Sequence, residues 1–179
     1  RLKNPLIASS SPLTATAAHI EELARNGIGA VVLKSIFEEQ ISGEAAMMAR
    51  YGNDSPEAAD YLHAYLGADY MKGFIDLISE VKRKTDLPVI ASINCYQDAD
   101  WIEFARKIEE AGADALEVNI LALQTDIQYA YGSFEQRHID ILSHIRKTVN
   151  IPVIMKLGDN LTNPIALIDQ LYANGAAAV

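Results

Sequence analysis

The stretch DLPVIASINCYQDADWIEFARKIEEAGADALEV, residues 86–118, decides the fold. It opens on a polar residue, an aliphatic and a Pro. An apolar run at 89–93 follows, then a helical pattern at 99–110, Gly112 and a second apolar run at 115–119. Within the helical part, Trp101, Phe104, Ala105 and Ile108 recur at helical spacing and define one apolar face. Asp98 or Asp100 can cap its start, and Gly112 lies just past its end, where a left-handed residue is cheapest. Neither apolar run alternates with polar residues, as expected of parallel strands covered on both faces.

The same unit returns at NIPVIMKLGDNLTNPIALIDQLYANGAAAV, residues 150–179. Thr162 or Asn163 serves there as cap, with Pro164 in the first turn. ARNGIGAVVLKS, residues 24–35, supplies a third copy of the glycine-to-strand half. Gly27, Gly112 and Gly175 hold equivalent places. Self-similarity of this kind marks a repeated supersecondary unit. Strands are expected at 6–9, 30–34, 89–93, 115–119, 153–156 and 177–179, and helices at 16–25, 70–84, 99–110, 134–148 and 164–173.

Strand and helix therefore alternate, with right-handed crossovers expected. The favoured reading is an α/β fold: a (β/α)₈ TIM barrel with its first six strands in this chain and its last quarter outside it. An open doubly wound sheet is the alternative, but no G-x-G-x-x-G turn follows the first strand. Residues 1–179 read as a single domain, incomplete at its C-terminus, because the chain stops in an apolar run at GAAAV.

Composition narrows the function. A net charge of −9 and a pI near 4.8 argue against nucleic acid or an anionic membrane surface as the main partner. The single cysteine, Cys95, excludes an internal disulfide or a cysteine-based zinc site, and a cytoplasmic location is the simplest expectation. Cys95 itself reads as a small buried hydrophobe. His19, His63, His138 and His144 form no ligand cluster by spacing, so no metal site is expected.

Two insertions, 36–69 and 121–132, follow strand C-termini, the barrel face on which sites are built. The first, with Met47, Met48 and several tyrosines, reads as a lid or an oligomer contact, a homodimer being one assembly it allows. The apolar runs end in Ala8-Ser9, Lys34-Ser35, Asn94-Cys95, Asn119 and Lys156. In a barrel these converge on one mouth. An ammonium there is costly without an anionic or polar partner, and an electron-rich small-molecule ligand would supply one.

NPLIASSSPLT, AVVLKS, PVIASI, GADALEVN and PVIMKL together resemble the FMN-dependent dihydroorotate dehydrogenases and the related flavin domain of dihydropyrimidine dehydrogenase. The resemblance runs through nearly the whole chain in order. It implies an FMN-binding barrel and an oxidoreductase of pyrimidine metabolism acting on CH–CH groups of a pyrimidine-like substrate. It also implies flavin contacts from Ala8, Ser9, Lys34, Asn119 and Lys156, with a glycine-rich phosphate grip beyond Val179. A cation near the ring would stabilise the anionic reduced flavin.

The resemblance breaks after Asn119. The family's catalytic Cys or Ser corresponds to Ala122, and a methyl group cannot take a proton. If the register slips, Thr125 or Asp126 comes closest. No asparagine of the pyrimidine-binding segment is matched near AADYLHAYLGADY. Two other readings therefore stand beside the first: a flavin-binding relative that has lost dihydroorotate oxidation, and a non-flavin barrel lyase using Lys156 or Lys34 as a Schiff-base amine. Ala122→Cys alone is expected not to confer robust dihydroorotate oxidation, because the ring-binding asparagines are also missing. Anaerobic bleaching of the bound flavin by dihydroorotate is the measurement.

Overall fold

In the computed structural model, residues 2–37, 56–94, 99–120, 128 and 130–179 are described, with backbone alone over 56–68 and 99–103. The elements in chain order are β1 (Ile7–Ala8), α1 (Ala17–Arg25), β2 (Ala30–Val32), β3 (Ile36–Phe37), α2 (Pro56–Lys84) and β4 (Val89–Asn94). They continue with α3 (Ala99–Glu110), β5 (Ala115–Asn119), α4 (Ser133–Arg146), β6 (Val153–Lys156) and α5 (Pro164–Ala173). A short 3-10 turn, Pro12–Thr14, follows β1.

All strand pairs are parallel, in the order β1-β2-β4-β5-β6, with β3 also pairing β4. The order follows the chain without reversal, unlike a doubly wound sheet, whose order reverses at a switch point. The two faces of the sheet decide the same question. Val31, Leu33, Val89, Ala91, Ile93, Leu116, Val118, Val153 and Met155 share one core with residues of all five helices, among them Ile20, Ile78, Phe104, Leu142 and Leu171. Ala30, Val32, Ile90 and Ala115 form a second cluster with Ile154 and contain no helix residue. Helices on one face and strands meeting one another on the other is the section of a barrel wall.

The repeated glycines behave as their placement suggests. Gly27, Gly112 and Gly175 have φ of +89°, +96° and +92°, each turning the chain out of a helix toward the next strand. One of the expected caps forms: Asn163 Oδ1 accepts from the Ala166 N–H at 3.1 Å. Thr16, expected as the first residue of its helix, caps it instead, its Oγ1 accepting from the His19 N–H at 3.4 Å. Asp98 and the side chain of Asp100 lie outside the described residues.

Three elements differ from the sequence reading. Helix α2 starts at Pro56 rather than near residue 70, so the last part of the first insertion, 56–69, is helical. Among its alanines, the added turns hold Gly67 and two tyrosines, Tyr61 and Tyr65, weaker helix formers that read as loop in the sequence. β3 is a short extra strand on β4 at the start of that insertion. The run at 177–179 is a single parallel bridge, Ala178 beside Ile154, held by Ala177 N–H to Val153 O at 2.8 Å and Met155 N–H to Ala178 O at 3.0 Å.

β1 joins β2 through a close approach. Gly29 N–H donates to Leu6 O at 2.7 Å, while Asn4 bonds both Gly27 O (2.9 Å) and the Leu6 N–H (3.0 Å). A Cβ on Gly29 would meet Asn4 O at 2.3 Å, a backbone atom with little freedom to move. Gly29→Ala should therefore destabilise the protein by about 1–3 kcal/mol, read as a lower thermal midpoint.

His138 on α4 is fully buried. Its Nδ1 lies 2.7 Å from Phe134 O and so carries the hydrogen, leaving Nε2 as a buried acceptor with no partner among the described residues. Burial pushes this imidazole below its ordinary range, against an opposing contribution from its bond to Phe134. The unfolded chain therefore binds the extra proton first, and stability falls as pH drops below the ordinary imidazole value of 6.5 toward the lower folded value. His138→Leu is expected to flatten the decline of the thermal midpoint across that window while lowering stability at neutral pH, as followed by circular dichroism.

Candidate functional site

The register across β4, β5 and β6 builds the site. Asn94 lies opposite Asn119, and Asn119 lies opposite Lys156. One row of polar side chains thus crosses the C-terminal edge of three adjacent strands. Both amides are buried, at 5% and 9% exposure, and neither has a side-chain hydrogen bond among the described residues. Buried amides without protein partners retain hydrogen-bonding capacity for a ligand. Lys156 is the accessible member, its side chain 48% exposed.

One step inward, Ser92 lies opposite Glu117, and Glu117 opposite Ile154. Ser92 Oγ donates to Glu117 Oε1 at 2.7 Å, and the same oxygen is 3.8 Å from Lys156 Nζ. A further step in, Val32, Ile90 and Ala115 close the interior with apolar side chains. The interior therefore grades from apolar, through a serine–carboxylate pair, to two amides and an ammonium at the rim.

The chain between β2 and β3 shapes the neighbouring part of the rim. Val32 lies opposite Ile90 and Ile36 opposite Ile93, so four steps here match three along β4. One extra residue is accommodated, as in a bulge, and the inward alternation shifts by one. Ser35 accordingly meets Ser92, Oγ to Oγ at 2.7 Å, and Ser10 Oγ at 3.0 Å. Lys34 is half-buried, with its N–H on Thr14 O at 3.2 Å. It lines a cleft of about 510 Å³ with Phe37, Asp69, Tyr70, Phe74 and Leu77, on the side of α2.

The expected site residues thus divide. Asn119 and Lys156 come together, with Asn94 beside them. Ala8 shares its row with Val31 and packs against the helix-side core, whereas Ser9 is exposed at the open end of β1. Ala122, Thr125, Asp126 and Cys95 lie outside the described residues. Glu117, Ser10 and Ser92 were given no role by the sequence reading, and Ser35 entered it only as the end of an apolar run. A signal for Glu117 was present: a carboxylate inside an otherwise apolar parallel strand must find partners in the fold. Among the described residues no group of three or more His, Cys, Asp or Glu could hold a metal ion.

Fold and mouth define the class first: an α/β chain forming part of a TIM barrel, with a polar row at the C-terminal ends of its strands. Dihydrodipicolinate synthases from Bacteroides thetaiotaomicron and Agrobacterium tumefaciens superpose with TM-scores of 0.58 and 0.58, at 16% and 13% identity. They match 97% and 96% of this chain, and 52% and 52% of theirs, a likeness of fold alone. The family model for dihydroorotate dehydrogenase matches residues 1–176, and the chain belongs to that family. The catalytic subunit of dihydroorotate dehydrogenase B (NAD(+)) from Methanosarcina mazei is 30% identical over 186 residues, covering 100% of this chain and 56% of the relative. The protein of the same name from Thermoplasma volcanium is 28% identical over 169 residues, covering 93% and 54%. The chain spans about half the length of these curated relatives.

Proposed function

We propose that residues 1–179 form the N-terminal part of an FMN-binding barrel that passes a hydride between a CH–CH group of a pyrimidine-like substrate and the flavin. The observation that carries this reading is the row Asn94–Asn119–Lys156 at the strand C-termini, in a chain of the dihydroorotate dehydrogenase family. The donor set fits a flavin ring: amides that both give and accept hydrogen bonds, and a cation able to balance charge gained on reduction. When bound, FMN supplies the hydride chemistry.

The residues of this chain do the rest. Asn119 orients the ring through its amide, and Lys156 places an ammonium at the rim where negative charge accumulates. Ser9 borders the same mouth from β1. Lys34 and Ala8 belong to the proposed flavin contacts, Lys34 from the adjoining cleft and Ala8 from the strand before the rim. The relatives are named as catalytic subunits of an NAD(+)-linked enzyme, which supports a small-molecule redox reaction. No described helix is long and apolar enough to cross a membrane.

The substrate departs from dihydroorotate in this reading. Ala122 stands where the family keeps a proton-accepting side chain, so the flavin half of the site is retained without the usual base.

The purified full-length protein is expected to be yellow and to release FMN on denaturation. Lys156→Ala and Asn119→Ala should each weaken FMN binding about tenfold or more, the loss of roughly 1.4 kcal/mol or more of interaction, measured by fluorescence titration. A colourless protein that takes up no FMN overturns the proposal. A flavin that dihydroorotate and dihydropyrimidines leave oxidised, under anaerobic conditions, rejects the pyrimidine substrate while leaving flavin binding in place.

A further inference from the structure

We infer that Glu117 is a positioning residue that, braced by a one-way chain of three serine hydroxyls, holds Lys156 and sets the charge balance at the mouth of the barrel. The inference rests on the flavin reading above.

The direction of the chain follows from counting hydrogens. Ser92 donates its single hydroxyl hydrogen to Glu117 Oε1 at 2.7 Å. Ser35 must then be the donor in its 2.7 Å contact with Ser92. With that hydrogen committed, Ser10 is the donor to Ser35 across 3.0 Å. The Ser35 N–H returns a bond to Ser10 Oγ at 2.9 Å and closes the outer end. Every hydroxyl dipole therefore points toward the carboxylate, and such chains strengthen each member. Ser92 is completely buried and Ser35 nearly so, while Ser10 lies at the partly exposed end. The chain links the end of β1, the extra residue before β3, β4 and β5.

Glu117 needs that bracing. Its side chain is 13% exposed, and a carboxylate so enclosed is expensive unless it accepts strong hydrogen bonds or faces a cation. It has both: the charge-assisted bond from Ser92 and the Lys156 ammonium at 3.8 Å. The Lys156 end is half exposed and solvent-screened, so the pair does little for global stability. Its consequence is local. A fixed negative charge behind Lys156 partly cancels the positive field that the lysine directs at anything bound on the rim. A ligand that becomes more anionic on reduction is therefore stabilised less than by a free lysine.

The test is the two-electron midpoint potential of bound FMN, measured spectroelectrochemically on the full-length protein. Glu117→Gln removes the opposing charge and should shift the potential upward, while Glu117→Asp, which keeps the charge, stays nearer the wild type. Ser92→Ala frees the carboxylate to swing from Lys156 and should move the potential part of the way in the same direction. Combined with Glu117→Gln it should add nothing, the signature of two residues acting as one unit. Where Glu117→Gln does not fold, as judged by circular dichroism, the Ser92→Ala potential decides. Folded, FMN-loaded variants with the wild-type potential overturn the role of Glu117 alone. A wild-type protein that takes up no FMN overturns the flavin reading, and this inference with it.

Discussion

Everything at the mouth depends on one register. Parallel pairing sets Asn94, Asn119 and Lys156 side by side because Ile90 lies opposite Ala115 and Leu116 opposite Val153 farther down the strands. The apolar positions enforce it. A slip of one residue would turn Ile93, Val118 and Met155 away from the helices and point Ser92 and Glu117 into the apolar layer. The alignment that buries the core thus also assembles the polar row, and neither can be lost alone.

The barrel interior is graded rather than uniformly filled. Ala30, Val32, Ile90, Ala115 and Ile154 provide dry packing at depth, and Ser92 and Glu117 above them meet across neighbouring strands. Ser92 would be an isolated buried hydroxyl without Ser35 on one side and Glu117 on the other. The extra residue between Val32 and Ile36 makes that contact possible, at the cost of a regular strand end. Placing polar groups in successive layers lets a rim meet a charged ligand without exposing the core to it.

Much of this was legible in the sequence. The strand–helix units at 86–118 and 150–179, the three glycines of positive φ and the cap Asn163 all follow from local rules, and all stand in the fold. Asn119 and Lys156 were legible as strand ends, since an apolar parallel strand that stops on a polar residue identifies its own rim. Helix α2 was legible only in its last half, because the turns from Pro56 hold Gly67, Tyr61 and Tyr65, weaker helix formers that read as loop.

What the sequence by itself determined is therefore the repeated unit, the direction of the strands and the identity of the groups at their ends. These depend on neighbours a few residues away: spacing of apolar side chains, capping groups and the conformational freedom of glycine. The tertiary structure alone decided which groups meet. Ser10, Ser35, Ser92 and Glu117 are separated by 25, 57 and 25 residues, and their contacts depend on strand pairing and on one accommodated residue. The bulge is invisible in the sequence because LKSI contains no glycine or proline to mark it. Only the opposing strand, which advances three residues while this one advances four, turns Ser35 toward Ser92 in place of Lys34.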